Sequence, residues 1–334
     1  WLHNRLGKSK VEDKTFLKEW FSSFPDTFDS VVSLNANQSA LVFEPAKEEL
    51  RRLERFLVTS RGLAMAMPAM FGIDSMKTDE AQFYVETMAR WAWGIVLSRT
   101  GVARVKEATG LTREMVLLLP AVSLVNTVQD GWNLEVPACD YKECLVRARR
   151  DLHKGDELTM DYGLKSNLEF LLYDGFTIPG NKLGYPMALN YTASGNDSIS
   201  LLMKKHNIFK QCVDPFVVGD ESDWKRMLKC SRLAQYAQVA DVVALKQLWS
   251  TPAFDEIPGQ LSPQDIQALR FVLESCQQRV DDITNIFSTT NVTALLETGD
   301  TFNDKLISAV RQELNAAKMW RDAAQALMTE HSTN

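Results

Sequence analysis

Long apolar runs are missing from this 334-residue chain. Its most apolar stretch, Leu63 to Ile73, has only eleven residues and is broken by Pro68, too short for a helix that crosses a bilayer. Closely spaced cysteine pairs are missing too. The five cysteines (Cys139, Cys144, Cys212, Cys230, Cys276) are odd in number, scattered and without a C-x-x-C, so neither a zinc ribbon nor a disulfide framework is expected. A reducing intracellular compartment fits that usage, and no metal is expected. Glycine (16) and proline (11) are scarce, and with 45% hydrophobic residues this excludes collagen-like, low-complexity and mostly unfolded classes. Histidine is rarer still: His3, His153, His206 and His331 lie far apart, and no H-E-x-x-H, G-x-S-x-G or glycine-rich phosphate loop occurs. Excess positive charge is absent as well. Net charge is −6, from 37 Lys+Arg against 43 Asp+Glu, which disfavours wrapping nucleic acid as the main task. The chain opens on Trp1-Leu2-His3-Asn4-Arg5, neither a signal sequence nor a natural start, so a preceding segment is expected.

What is present is helical periodicity at both ends. After Thr78, a good N-cap with Asp79 and Glu80 behind it, apolar residues fall at Ala81, Val85, Met88, Ala92, Ile95 and Val96 until about Gly101. Ser262-Pro263 supplies a cap and a first-turn proline, followed by Leu269, Leu273, Cys276, Val280 and Ile283 on one stripe. A third helix is expected from about Asn303, with Leu306, Val310, Leu314, Ala317, Trp320, Ala324 and Leu327 aligned. Between these lies a β-like texture from about Met115 to Phe176, with strands expected at Met115–Leu119, Cys144–Arg147 and Glu157–Met160. The stretch from Ile178-Pro179-Gly180-Asn181 through Ser194-Gly195-Asn196 reads as the junction to a helical C-terminal part.

The segment Lys154-Gly155-Asp156-Glu157 to Asp174-Gly175-Phe176, containing Tyr162-Gly163 and Lys165-Ser166-Asn167-Leu168-Glu169, resembles the end of the SET domain in the Rubisco large-subunit lysine methyltransferase class. Trp91 to Arg99 is similar to that class's W-A-x-x-x-V-x-S-R helix, and Leu119 to Asn126 to its V-P-x-x-D-x-x-N-H segment. Phe24-Pro25 resembles its L-P stretch. The implied fold is α+β: a SET-type β module with a helical insert, then an all-helical C-terminal domain. The expected domains are a partial SET domain over 1–179, with the insert at about 10–112 and the core at about 113–179, and a helical substrate-binding domain over 180–334.

The resemblance implies methyl transfer from S-adenosylmethionine to a lysine, or less readily a histidine, of a protein docked on the helical domain. Attack of a neutral nitrogen on a sulfonium methyl needs alignment and desolvation more than strong acid or base. By carry-over Tyr162 is the catalytic tyrosine; Arg99, Asn126 and Thr127 hold the cofactor, Arg99 against its carboxylate; and Asp174 lines the acceptor channel. Three residues depart from the class pattern: Ser123 replaces aspartate, Thr127 replaces histidine, and Asp174 stands where tyrosine is common. The glycine-bearing start of the SET domain has no counterpart after Trp1. These departures motivate an alternative, a catalytically inactive SET-like scaffold subunit of a larger assembly. The resemblance makes a plastid or other organelle the expected location of such a scaffold, with the cytoplasm as the alternative.

Outside the motif, Met65, Met67 and Met70 read as adaptable packing, with a partner surface as the alternative. Arg147, Arg149, Arg150 and Lys154 read as a solvated basic face, with a groove for an acidic partner as the alternative.

Overall fold

The computed structural model describes residues 19–44, 46–128, 131–140, 143–189, 210–237, 242–251, 254 and 260–332. The described residues fall into two compact units, one drawn from the ranges 19–39, 46–163 and 170–178, the other from 40–44, 164–169 and 179–332. Ser194-Gly195-Asn196, His3 and His206 lie outside the described residues.

In the first unit two long helices precede the sheet. Helix α1 (Lys47–Ala66) starts with Glu48 and Glu49 where the helix dipole favours acid, and buries Glu49, Leu53, Leu57 and Ala64. Helix α2 (Thr78–Arg99) buries Ala81, Val85, Ala89, Gly94 and Ile95. Its cap is Lys77 rather than Thr78, and Lys77 makes no side-chain capping bond. The dipole is matched at both ends, by Asp79 and Glu80 and by Arg99. Ala64, Ile73, Ala81 and Val85 form a small core between the helices, and Glu86 links Arg61 and Arg90 at 2.9 Å each. Met65, Met67 and Met70 are exposed by 42, 42 and 38%, so packing does not account for them.

Six strands follow among the described residues: β1 (Gly101–Lys106), β2 (Thr112–Leu117), β3 (Asn126–Thr127), β4 (Leu134–Asp140), β5 (Cys144–Ala148) and β6 (Thr159–Met160). β1 lies inside the stretch read as helical to about 112. It is missed because helical periodicity runs straight into it and only Val102 and Val105 announce a strand. β1 and β2 form an antiparallel hairpin, and β4 is the hub. β5 pairs antiparallel along one edge of β4, while β1 and β6 pair parallel to it at its two ends, and β6 pairs parallel to β3.

β6 is too short to fix its own register, and a buried side chain does it instead. Asn133 accepts from the Thr159 backbone N–H at 2.9 Å and donates to the Glu157 carbonyl at 2.8 Å, while its own N–H reaches the Thr159 carbonyl at 3.1 Å. One amide therefore reproduces the ladder that a longer partner strand would provide.

The cysteines correct the sequence reading. Cys139 and Cys144 stand opposite each other where β4 turns into β5 and are joined as a disulfide, and a second disulfide joins Cys212 to Cys230; only Cys276 is free, and it is buried. The spacings, five and 18 residues, hide the pairing because hairpin register and helix packing bring the sulfurs together. The argument from cysteine usage to a reducing compartment falls with it. No described helix is long and apolar enough to cross a membrane.

The second unit is helical: α3 (Glu221–Tyr236), α4 (Val242–Ser250), α5 (Pro263–Thr289) and α6 (Thr301–Ser332). As expected, Ser262 caps α5, in a reciprocal capping box with Asp265 behind Pro263. Asp265 also takes a buried 2.7 Å bond from Arg232 of α3, whose guanidinium donates onward to the Phe254 carbonyl. Phe216, Met227, Leu233, Leu245, Val272, Cys276, Trp320 and Ala324 form the core of this unit.

Peptide mapping without reductant should recover Cys139 joined to Cys144 and Cys212 joined to Cys230. Thiol titration should find one group per chain, reactive only after denaturation. Two or more thiols on the oxidised native chain would contradict the pairing.

Candidate functional site

The site is assembled where α2 ends and β6 leaves the sheet. Pro120 is followed by Ala121 at φ 64° and ψ −50°, and the Val122 N–H bonds back to the Pro120 carbonyl at 2.8 Å, which defines a γ-turn of the strained kind. Ala121 is the one non-glycine residue with positive φ among the described residues. Strain of this sort persists only where its surroundings hold it. Here the turn feeds a short 3-10 helix, Val122–Leu124, and sets the Ser123 and Val125 carbonyls for two long-range contacts.

Arg99 ends α2 and donates from Nη1 to the Ser123 carbonyl at 3.1 Å. Tyr162, two residues beyond β6, donates its hydroxyl to the Val125 carbonyl at 2.5 Å. Trp20 Nε1 reaches the Ser123 hydroxyl at 3.3 Å, so Ser123, where the class has aspartate, is buried and serves the scaffold here. Asp161 accepts from the Gly163 N–H at 2.8 Å, turning the chain just after Tyr162.

Asp174 closes the set. It ends the π-turn Phe170–Asp174, which the Gly175 N–H closes onto the Phe170 carbonyl at 2.9 Å. Gly175 has φ 83°, and a Cβ there would stand 2.9 Å from the Asp29 carbonyl oxygen, so only glycine fits the turn that places Asp174. Electrostatics tie the three groups together. Burial pushes the Tyr162 phenol above its ordinary value, the Asp174 carboxylate pushes it further, and the Arg99 guanidinium opposes them. Tyr162 is therefore a neutral phenol near pH 7. With its proton committed to Val125, it meets a substrate as a hydrogen-bond acceptor.

Of the predicted residues, the structure brings Arg99, Tyr162 and Asp174 together. Asn126 and Thr127 lie on neighbouring β3, but the Asn126 side chain is exposed and donates to Glu157 at 2.8 Å, and the Thr127 hydroxyl makes only a 3.5 Å contact with the next carbonyl. Asn133, Ala121 and Val125 were missed. Pro120 was a fair signal for the turn, whereas nothing in the local pattern marked Asn133.

Arg99 also carries the clearest sign of a binding function. Its Nε is buried without a hydrogen-bond partner. A guanidinium N–H left this way costs about 1–3 kcal/mol unless something accepts from it. The chemistry that fits is an anion, and a carboxylate best of all. No group of three or more His, Cys, Asp or Glu among the described residues is placed to hold a metal.

No family model matches the chain. Among curated proteins it is similar to the actin-histidine N-methyltransferase of Canis lupus familiaris, 30% identical over 93 residues, covering 28% of this chain and 15% of that protein. The Xenopus tropicalis actin-histidine N-methyltransferase is 26% identical over 172 residues, 50% of this chain and 27% of that one. The chain thus matches well under a third of the length of these relatives. Among solved structures, the SET domain of LSMT bound to lysine and AdoHcy superposes with a TM-score of 0.61 at 14% identity over 99% of this chain and 78% of that one. Rubisco LSMT bound to sinefungin and monomethyllysine gives 0.58 over 99% and 75%. The chain has the α+β fold of the SET domain in the Rubisco LSMT class.

Two substitutions probe how the site is held. Ala121→Gly relieves the γ-turn and is expected to raise stability by about 1 kcal/mol. Gly175→Ala forces a contact with the Asp29 carbonyl and is expected to cost about 1–3 kcal/mol. Chemical denaturation reads both, and an unchanged midpoint for Gly175→Ala would show that this turn is not constrained.

Proposed function

We propose that the chain is an S-adenosylmethionine-dependent protein N-methyltransferase, and the observation that carries this is the buried, unpartnered Arg99 Nε beside Tyr162 on a SET fold. In this reading 1–179 acts as the SET part and 180–334 as the helical domain on which a protein substrate docks. Arg99 would hold the methionine carboxylate, with Asn126 and Thr127 bordering the same ligand. The cofactor, when bound, supplies an electrophilic methyl group.

The chain's own residues then decide what accepts the methyl. Tyr162, a neutral phenol whose hydroxyl donates to the Val125 carbonyl, presents an acceptor oxygen that would orient the incoming side chain. Asp174 sets the acceptor class. A carboxylate beside a lysine amine holds it as ammonium, already favoured with an ordinary pKa of about 10.4, and leaves no lone pair to react. An imidazole, with an ordinary pKa of about 6.5, is neutral at pH 7, so its one N–H can donate toward the carboxylate while the bare nitrogen keeps its lone pair. A ring methylated by the cofactor would be cationic beside Asp174, which would favour that charge until the proton on its other nitrogen leaves to solvent. We therefore read histidine as the preferred acceptor, in agreement with the activity named for the curated relatives.

A second reading has one observation in its favour. Asn126, expected on the cofactor, spends its amide on Glu157 at the surface. A SET-like scaffold subunit that neither binds nor transfers would show this. For the compartment, the two disulfides favour one that tolerates oxidised thiols over a reducing cytosol.

The test is methyl transfer from labelled S-adenosylmethionine to a proteome extract, with modified residues mapped by mass spectrometry. Modified histidines are expected, with a rate that rises through about pH 6.5 and then levels as the imidazole deprotonates. Tyr162→Phe should lower the rate by about 100-fold without loss of cofactor binding. Asp174→Asn should shrink the preference for histidine over lysine. Labelling of lysine alone would overturn the acceptor assignment, and no labelling with no cofactor binding would leave the scaffold reading.

A further inference from the structure

The second unit contains a buried carboxyl that the proposed chemistry does not use. Glu313, on α6, is 3% exposed and accepts from the Tyr185 backbone N–H through Oε2, while Oε1 is buried with no partner. Arg279 of α5, also buried, donates to the carbonyl of the next residue, Pro186, at 3.2 Å. Two buried side chains of opposite charge, from two helices, therefore grip adjacent peptide units of one extended segment. The grip is close: a Cβ on Gly184 would stand 2.9 Å from Ala316 and 3.1 Å from the Glu313 carboxyl.

The neighbouring residue of α6 extends the contact. Gln312 bonds the Asn181 carbonyl and accepts from Asn167 at 2.8 Å, and Asn181 donates to the Lys165 carbonyl at 2.9 Å. The Lys165-Ser166-Asn167-Leu168-Glu169 motif is thus bound into the same cluster. Ser166 lies near enough to Glu313 to favour its anion, and Glu169 bonds Ser166 while adding a second carboxylate.

We propose that Glu313 is a proton-operated clasp: protonated, it lets the cluster close on 183–186, and ionised, it loosens that segment. The charges facing it explain the direction. Arg279 is the cation that acts on Glu313, and it is shared with Asp282 of its own helix; Glu169 adds like charge; Tyr185 and the buried thiol of Cys276 also act on Arg279. Ionisation therefore buries one carboxylate, with a half-buried second one near it, against a guanidinium that Asp282 shares. Burial is the largest effect on Glu313 and lifts its pKa from 4.5 to about 7, against the Tyr185 N–H, Arg279 and Ser166, which favour the anion. Because the folded value is raised, the closed form is most stable below about pH 4.5. That stability is lost as pH rises to about 7 and changes little above.

Hydrogen exchange on the full chain tests this, with rates corrected for intrinsic pH dependence. Protection of the Leu183–Met187 amides should fall at least tenfold between about pH 5 and 7 and then level, at most tenfold per pH unit. In Glu313→Gln, which keeps an acceptor for the Tyr185 N–H, protection should be flat across the same range. A wild type without pH dependence, or a variant with the same slope, overturns the clasp. If Glu313→Gln does not fold, difference infrared on the wild type decides: the band of a protonated buried carboxyl should disappear between about pH 6 and 8, and its absence at pH 5 would refute the proposal.

Discussion

The site depends on one hydrogen bond, from the Tyr162 hydroxyl to the Val125 carbonyl at 2.5 Å. It spans 37 residues of sequence and ties the end of β6 to the strained turn that also receives Arg99. Everything around it serves to make that contact possible. Asn133 fixes the register of a two-residue strand, Pro120-Ala121 presents the carbonyls, and α2 delivers the guanidinium from its C-terminal end. In the proposed function the same bond would set the chemistry, since a phenol that donates its hydrogen bond to a backbone carbonyl, and that burial keeps neutral, offers an acceptor oxygen and no base.

Much of this was legible in the sequence, and what was not has identifiable causes. The helices at Thr78, Ser262-Pro263 and Thr301 carry their signals within one or two turns, through first-turn acids, an N1 proline and apolar spacing, and such signals are local. β5 was found close to its observed bounds because hydrophobic residues cluster in it. β1, β4 and the register of β6 were missed because part of their pairing is with residues 26 or more positions away and rests on a single asparagine amide. The disulfides, only five and 18 residues apart, escaped because hairpin register and helix packing bring the sulfurs together, which no local pattern shows.

The candidate residues divide along the same line. Arg99, Tyr162 and Asp174 were picked out by motif order and converge, whereas Asn126 was picked out on the same ground and its side chain goes to Glu157. Motif matching places backbone reliably and side chains less so, since one nearby carboxylate redirects an amide. The Lys165-Ser166-Asn167-Leu168-Glu169 motif shows the converse. It is among the strongest links of the sequence to a methyltransferase class, yet its side chains are spent on Gln312, Asn181 and the backbone, where they organise the fold.

Calorimetric titration of S-adenosylhomocysteine into the full chain and into Arg99→Met tests the central claim most directly. Micromolar binding, about −8 kcal/mol, is expected for the chain, with a loss of at least 2 kcal/mol in the variant, because a desolvated guanidinium loses its anion. Equal binding by both, or no binding by the unaltered chain at millimolar ligand, would contradict it.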